Sequence, residues 1–106
     1  MDIITAEELN RRIEAGEDLR LLDVRESFEA NISDFRMETL SIPVASLDEQ
    51  LHKLDKEKEY IVYCRSGNTS KKAVELLLEN GFEHVKNLEG GINGWAQKFD
   101  PSLPQY

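Results

Sequence analysis

Apolar residues along this chain keep two rhythms, a helical spacing of three to four and short unbroken runs, and the two alternate from one end to the other. Thr5-Ala6-Glu7-Glu8 sets a hydroxyl three residues before a carboxylate. In such a capping box each side chain can satisfy a backbone N–H that the first helical turn leaves open. Leu9 and Ile13 follow at helical spacing and Gly16 is a natural stop, which predicts a first helix. Leu21-Leu22-Asp23-Val24 is a short apolar run holding one acid, the pattern of a buried strand, and it emerges at Arg25-Glu26. Ser27 to Leu40 shows no clear period. A helical turn around Phe28-Glu29-Ala30 and then an irregular stretch are expected there.

Ser46-Leu47-Asp48-Glu49 reads as a second capping box, with Leu47, Leu51 and Leu54 on one face of the helix it opens. The charge run Asp55-Lys56-Glu57-Lys58-Glu59 is a solvated helix end and loop. Tyr60 to Tyr63 predicts a buried strand, Thr69 to Asn80 a helix stopped by Gly81, and His84 to Leu88 another strand. Glu89-Gly90-Gly91 is a turn and Ile92 to Phe99 a last short helix. The final stretch, Asp100 to Tyr106, carries Pro101 and Pro104 and cannot continue it. Strands alternating with helices at this density imply an α/β fold, because parallel neighbours need crossover connections that helices usually supply.

Length changes this picture only by confining it: 106 residues suffice for one domain, spanning residues 1–106. No apolar run approaches the roughly 20 residues that cross a bilayer, so no membrane partner is expected. The N-terminus lacks the basic start and apolar stretch of a secretory signal, so the chain, if complete, is expected to be cytoplasmic. A formal charge of −8 repels phosphate backbones, which makes nucleic acid a poor partner and basic protein surfaces a better one. One cysteine permits no internal disulfide, no CxxC pair and no Cys-rich zinc site. His52 and His84 have no ligand-like spacing, and neither metal nor organic cofactor is expected.

That single cysteine stands where a predicted strand meets a turn, in Tyr60-Ile61-Val62-Tyr63-Cys64-Arg65-Ser66-Gly67-Asn68-Thr69-Ser70. Ligands of open parallel sheets bind beyond the carboxyl ends of the strands, and Cys64 falls at such an end. The helix that follows opens with unpaired N–H groups and a dipole that favours negative charge, and a thiolate is such a charge. Gly67 lets the backbone turn tightly, while Ser66, Thr69 and Ser70 offer hydroxyl donors to the same region. The loop reads as an anion cradle that would favour the thiolate, suited to a nucleophile or to a carrier of a bound sulfur atom. The alternative is a buried, inert thiol, since free cysteine is among the most often buried residue types. Lys71 and Lys72 sit in the first helical turn, against the dipole; an anionic substrate would explain them, and so would ordinary solvation.

Cys64-Arg65-Ser66-Gly67-Asn68-Thr69 leading into a helix resembles the six-residue active-site loop of the rhodanese-like sulfurtransferases. Leu21 to Glu26 resembles that family's early L-D-V-R strand end, and Leu88 to Trp95 its late L-x-G-G-x-x-x-W turn. Three motifs in family order cover nearly the whole chain. The final stretch from Asp100 resembles the end of rhodanese domains fused to adenylyltransferases that activate sulfur-carrier proteins.

The resemblance implies a rhodanese-like α/β fold, with a mostly parallel sheet of about five strands and helices on both faces. It also implies a mechanism: Cys64 takes the outer sulfur of a donor, holds it as a persulfide and yields it to a nucleophilic acceptor. By that analogy the N–H groups of Arg65, Ser66, Gly67, Asn68 and Thr69 stabilise the persulfide. Arg65 and Arg25 would border the pocket and Asp23 would order the neighbouring strand end. Asp23 simply pairing with a nearby cation, and Arg25 as a solvated strand end, are the plain alternatives. Gly90, Gly91 and Trp95 are turn and core residues. The implied donor is thiosulfate or a cysteine desulfurase persulfide, and a small sulfur-carrier protein is an implied acceptor.

Two departures stand out. Many short members carry G-H-I-x-G-A before I-P, where this chain has Ala30 to Met37 before Ile42-Pro43. Many single-domain members end the active loop with arginine, where this chain has Thr69, as thiosulfate sulfurtransferases of the two-domain kind do. Two other functions stay open beside sulfur transfer. Related folds use a cradled cysteine as a phosphatase, but with a longer loop closed by arginine, and here that position is Ser70. A non-catalytic binding module of the same fold would ordinarily have lost the cysteine.

Overall fold

The computed structural model describes residues 2–26 and 39–102. The expected turn at Phe28 to Ala30, the departure at 30–37 and residues 103–106 lie outside them. Five strands form one sheet: β1 (Ile3–Ile4), β2 (Arg20–Asp23), β3 (Thr39–Ser41), β4 (Tyr60–Tyr63) and β5 (Val85–Leu88), in the spatial order β1-β5-β4-β2-β3. Every neighbouring pair is parallel. The helices are α1 (Ala6–Glu14), α2 (Val44–Leu47) continued by a 3₁₀ helix (Asp48–Lys53), α3 (Asn68–Glu79) and α4 (Gly91–Phe99).

Strand side chains alternate between the two faces, so each apolar strand feeds two cores. Leu22, Val62, Cys64 and Val85 pack with Leu47, Ala73, Val74 and Leu77 from α2 and α3. Leu21, Ile61, Tyr63 and Leu88 pack on the opposite face with Ile4, Leu9, Ile92 and Ala96, the last two from α4 and Leu9 from α1. The expected α/β architecture with helices on both faces is therefore present.

Thr5 caps α1 as expected, its Oγ1 accepting from the Glu8 N–H at 3.1 Å. The expected cap at Ser46 is a correction. The helix begins three residues earlier, after Pro43, and Ser46 lies inside it. Proline's fixed φ of −56° turns the chain into a helix with no side-chain cap, and the coil then tightens to 3₁₀ geometry from Asp48. Leu47 is nevertheless buried, and Leu51 and Leu54 are partly buried against the same core. Helix α3 starts one residue before expectation, β5 starts at Val85 rather than His84, and α4 takes in Gly91. Both β1 and β3 are absent from the sequence reading, being edge strands of two and three residues that show no alternation.

The chain leaves β2 toward the β3 edge and leaves β4 toward β5. A crevice opens where such departures diverge, beyond the carboxyl ends of β2 and β4. Val24 to Glu26 form one of its walls and Cys64 to Ser66 the other.

Candidate active site around Cys64

Cys64 is only 4% exposed and lies at the floor of a cavity of about 500 Å³. Val24, Arg25, Glu26, Arg65, Ser66, Asn68, Thr69 and Lys72 line it. The backbone then makes the turn that the sequence predicts: Gly67 adopts φ +102°, which L side chains rarely reach, and becomes the N-cap of α3. Two backbone N–H groups converge on the sulfur as a result, from Gly67 at 3.1 Å and from Ser70 at 3.4 Å. The helix dipole points its positive end at the same atom.

A second helix secures this loop from behind. The Ile92 and Asn93 N–H groups, in the first turn of α4, donate to the carbonyls of Cys64 (2.9 Å) and Arg65 (3.1 Å). These carbonyls are thereby engaged by α4, while the N–H groups of Gly67 and Ser70 are the backbone groups that face the sulfur. The approach demands glycine at 91, where a Cβ would lie 2.5 Å from both carbonyl oxygens. The glycine pair expected to form a turn therefore also seats one helix against the Cys64 loop.

Asp23 and Arg25 are brought together as a buried pair. Asp23 accepts from Arg25 Nη2 at 2.8 Å, from Arg25 Nε at 3.0 Å, from the Arg25 backbone N–H at 2.9 Å and from the Tyr63 hydroxyl at 3.1 Å. The arginine side chain is 1% exposed and its guanidinium carbon stands 5.5 Å from the centre of the Tyr63 ring. Burial first, and the Asp23 charge next, push the Tyr63 phenol well up from its ordinary range, so it remains a donor. The solvated strand end considered for Arg25 is excluded by this burial.

Arg65, Ser66, Asn68 and Thr69 are exposed on the cavity rim, while Gly67 is buried. Two buried polar residues complete the site. Ser70 is 0% exposed, its Oγ 3.4 Å from Cys64 Sγ, and its hydroxyl donates to Asn87 Oδ1. Asn87, 1% exposed, donates from Nδ2 to the Gly67 carbonyl at 3.2 Å. Ser70 is among the donors expected from the loop sequence, whereas Asn87 is not. The available signal is the alternation of β5: Asn87 shares the face of apolar Val85, so a polar group is aimed into the α3 side of the core. Among the described residues no cluster of three or more His, Cys, Asp or Glu could hold a metal, and no helix is long and apolar enough to cross a membrane.

Fold and site together define an α/β domain built around one cysteine, held in a backbone anion cradle at a strand-to-helix turn. The model of the rhodanese-like domain matches residues 5–98, and the chain belongs to that family. It is 38% identical over 98 residues to the putative sulfurtransferase YtwF of Bacillus subtilis, covering 92% of this chain and 93% of that protein. It is also 37% identical over 110 residues to the adenylyltransferase and sulfurtransferase MOCS3-2 of Zea mays, covering 97% of this chain but only 23% of that protein. The chain thus spans about a quarter of that relative. Among solved structures, a rhodanese-related protein of Thermoplasma volcanium superposes with a TM-score of 0.84 at 34% identity, covering 93% of this chain and 94% of the other.

Proposed function

We propose that this domain is a sulfurtransferase that carries sulfane sulfur as a persulfide on Cys64. The observation that supports this most is the convergence of the Gly67 and Ser70 N–H groups on a sulfur at the floor of an open cavity. A cradle of backbone donors stabilises an anion in place and needs no reorganisation when the charge forms. With thiosulfate as donor, the Cys64 thiolate attacks the outer sulfur and a new S–S bond forms. The S–S bond of thiosulfate breaks and sulfite leaves with its electron pair. An acceptor nucleophile then attacks the outer sulfur of the persulfide, and Cys64 departs as the thiolate.

In this reading the loop N–H groups from Arg65 to Thr69 surround the persulfide, and Arg65 flanks the entry. Arg25, already gripped by Asp23, is a fixed wall of the pocket. The donor is thiosulfate or the persulfide of a cysteine desulfurase, and the acceptor includes a small sulfur-carrier protein. Likeness to a fused adenylyltransferase and sulfurtransferase favours such relay. Phosphate-ester hydrolysis has less support, because the position that would need a guanidinium is the buried Ser70.

The test is the intact mass of the protein after incubation with thiosulfate, and separately with a cysteine desulfurase plus cysteine. One added sulfur atom is expected, removable by reductant and absent from Cys64→Ser. No gain from either source would overturn the proposal.

A further inference from the structure

Asn87 bridges two of the groups that surround the sulfur, and its orientation is determined by what those groups can do. The Gly67 carbonyl can only accept, so Nδ2 must face it, and Oδ1 must face Ser70. An amide oxygen can only accept as well, so Ser70 directs its single proton at Asn87. Ser70 Oγ then turns a lone pair toward Cys64 Sγ, 3.4 Å away, where a thiol S–H can donate to it. The sulfur therefore meets opposed neighbours. Two backbone N–H groups favour the anion, while the hydroxyl is oriented to favour the protonated thiol.

Loss of the thiol proton to solvent reverses the preference. The Ser70 hydroxyl can serve the thiolate only by rotating away from Asn87, which leaves a buried amide oxygen unsatisfied. In a persulfide the inner sulfur is bonded and neutral and the charge lies on the outer one, so the hydroxyl is free to return to Asn87. We infer that Asn87 is a positioning residue: by orienting the Ser70 hydroxyl it favours both the resting thiol and the loaded persulfide over the free thiolate. This rests on the sulfur-carrier reading above and adds to it a means of restraining Cys64 when empty and retaining its cargo when loaded.

The experiment is the rate of iodoacetamide alkylation across pH for the parent, Asn87→Ala, Ser70→Ala and the double variant. Asn87→Ala is expected to shift the profile toward lower pH and to raise the rate on its acidic limb roughly two- to tenfold, the fold-change of one ordinary hydrogen bond. The same substitution in the Ser70→Ala background is expected to leave the profile where Ser70→Ala alone puts it, because the effect passes through the hydroxyl. An unchanged profile in Asn87→Ala, or an equal shift with and without Ser70, overturns the inference. Should Asn87→Ala fail to fold, the Asn87 side-chain amide resonances of the parent decide instead. They are expected to move as Cys64 ionises and to stay fixed over the same range in Ser70→Ala; immobility in the parent overturns the inference. Alkylation needs no sulfur donor, so failure of sulfur transfer and failure of this inference are read separately.

Discussion

At Gly91 an added Cβ would meet the carbonyl oxygens of Cys64 and Arg65 at 2.5 Å, and those are backbone atoms with little room to yield. The residue also sits at φ +61°, and Gly16 offers a control, at φ +73° with nothing within 4 Å. Gly16→Ala is expected to cost about 1 kcal/mol, the ordinary strain of a left-handed alanine. Gly91→Ala adds the collision and is expected to cost at least about 3 kcal/mol, read as the difference in urea midpoint. It should also slow persulfide loading, because the bonds from Ile92 and Asn93 to the loop carbonyls stretch as α4 moves off. Equal losses in the two variants would show that the close approach contributes nothing. Residues of this kind divide sharply in legibility. Cys64, Gly67 and the loop between them are readable because one strand end and one helix start dictate their chemistry. Asn87 is not, since its partners lie 17 and 20 positions away and only the folded sheet brings them together.

Elements are legible in proportion to their length and periodicity. Strand β4 and the body of α3 can be read almost to the residue, because unbroken Tyr60 to Tyr63 and the Gly67 and Gly81 boundaries leave little choice. The short edge strands escape such a reading, and the Pro43 start of α2 passes for a Ser46 cap, because a capping motif alone cannot tell a true N-cap from a serine within the first turn. Between elements, Arg12 of α1 joins Glu59, just ahead of β4, with Nη1 to Oε2 at 2.9 Å. The Arg12 hydrogen bonds hold the Glu59 carboxyl below its ordinary value of 4.5. A depressed carboxyl contributes stability that is complete above the unfolded-state value and disappears as pH falls through the folded-state one. Glu59→Gln is therefore expected to cost about 1–2 kcal/mol at neutral pH, the two groups being largely shielded from water. Denaturation at successively lower pH should show the two proteins converging below the usual carboxylate range. A constant gap down to strong acid would mean that the substitution is harmful for reasons other than charge.

Across the whole molecule the charge is −8, yet the mouth of the Cys64 cavity is bordered by exposed Arg65 and Lys72, with Lys71 lining a smaller adjoining cavity of about 140 Å³. Ion pairs among the described residues engage Arg12, Arg20, Arg25, Lys58, Lys86 and Lys98, but not Lys71 or Lys72. Both lysines also oppose the dipole of α3, at a cost on the order of a few tenths of a kcal/mol each. The average surface suggests basic partners, but the site itself presents the opposite sign. Under the proposed function, an anion such as thiosulfate must cross a repulsive field and then finds local attraction at the mouth, with Glu26 as the acid on the facing wall. Replacing Lys72 with Glu changes the local charge by two units without touching the sulfur or its donors. Lys72→Glu is expected to slow persulfide loading from thiosulfate roughly three- to tenfold at low salt. In 1 M salt, where the screening length falls to about 3 Å, the variant and parent should load at nearly equal rates. Alkylation by neutral iodoacetamide should change far less than loading by the dianion, because the lysine acts on the charge of the incoming donor. A loss that persists undiminished in high salt, or that is as large with the neutral reagent, would mean that Lys72 shapes the loop instead of attracting the substrate.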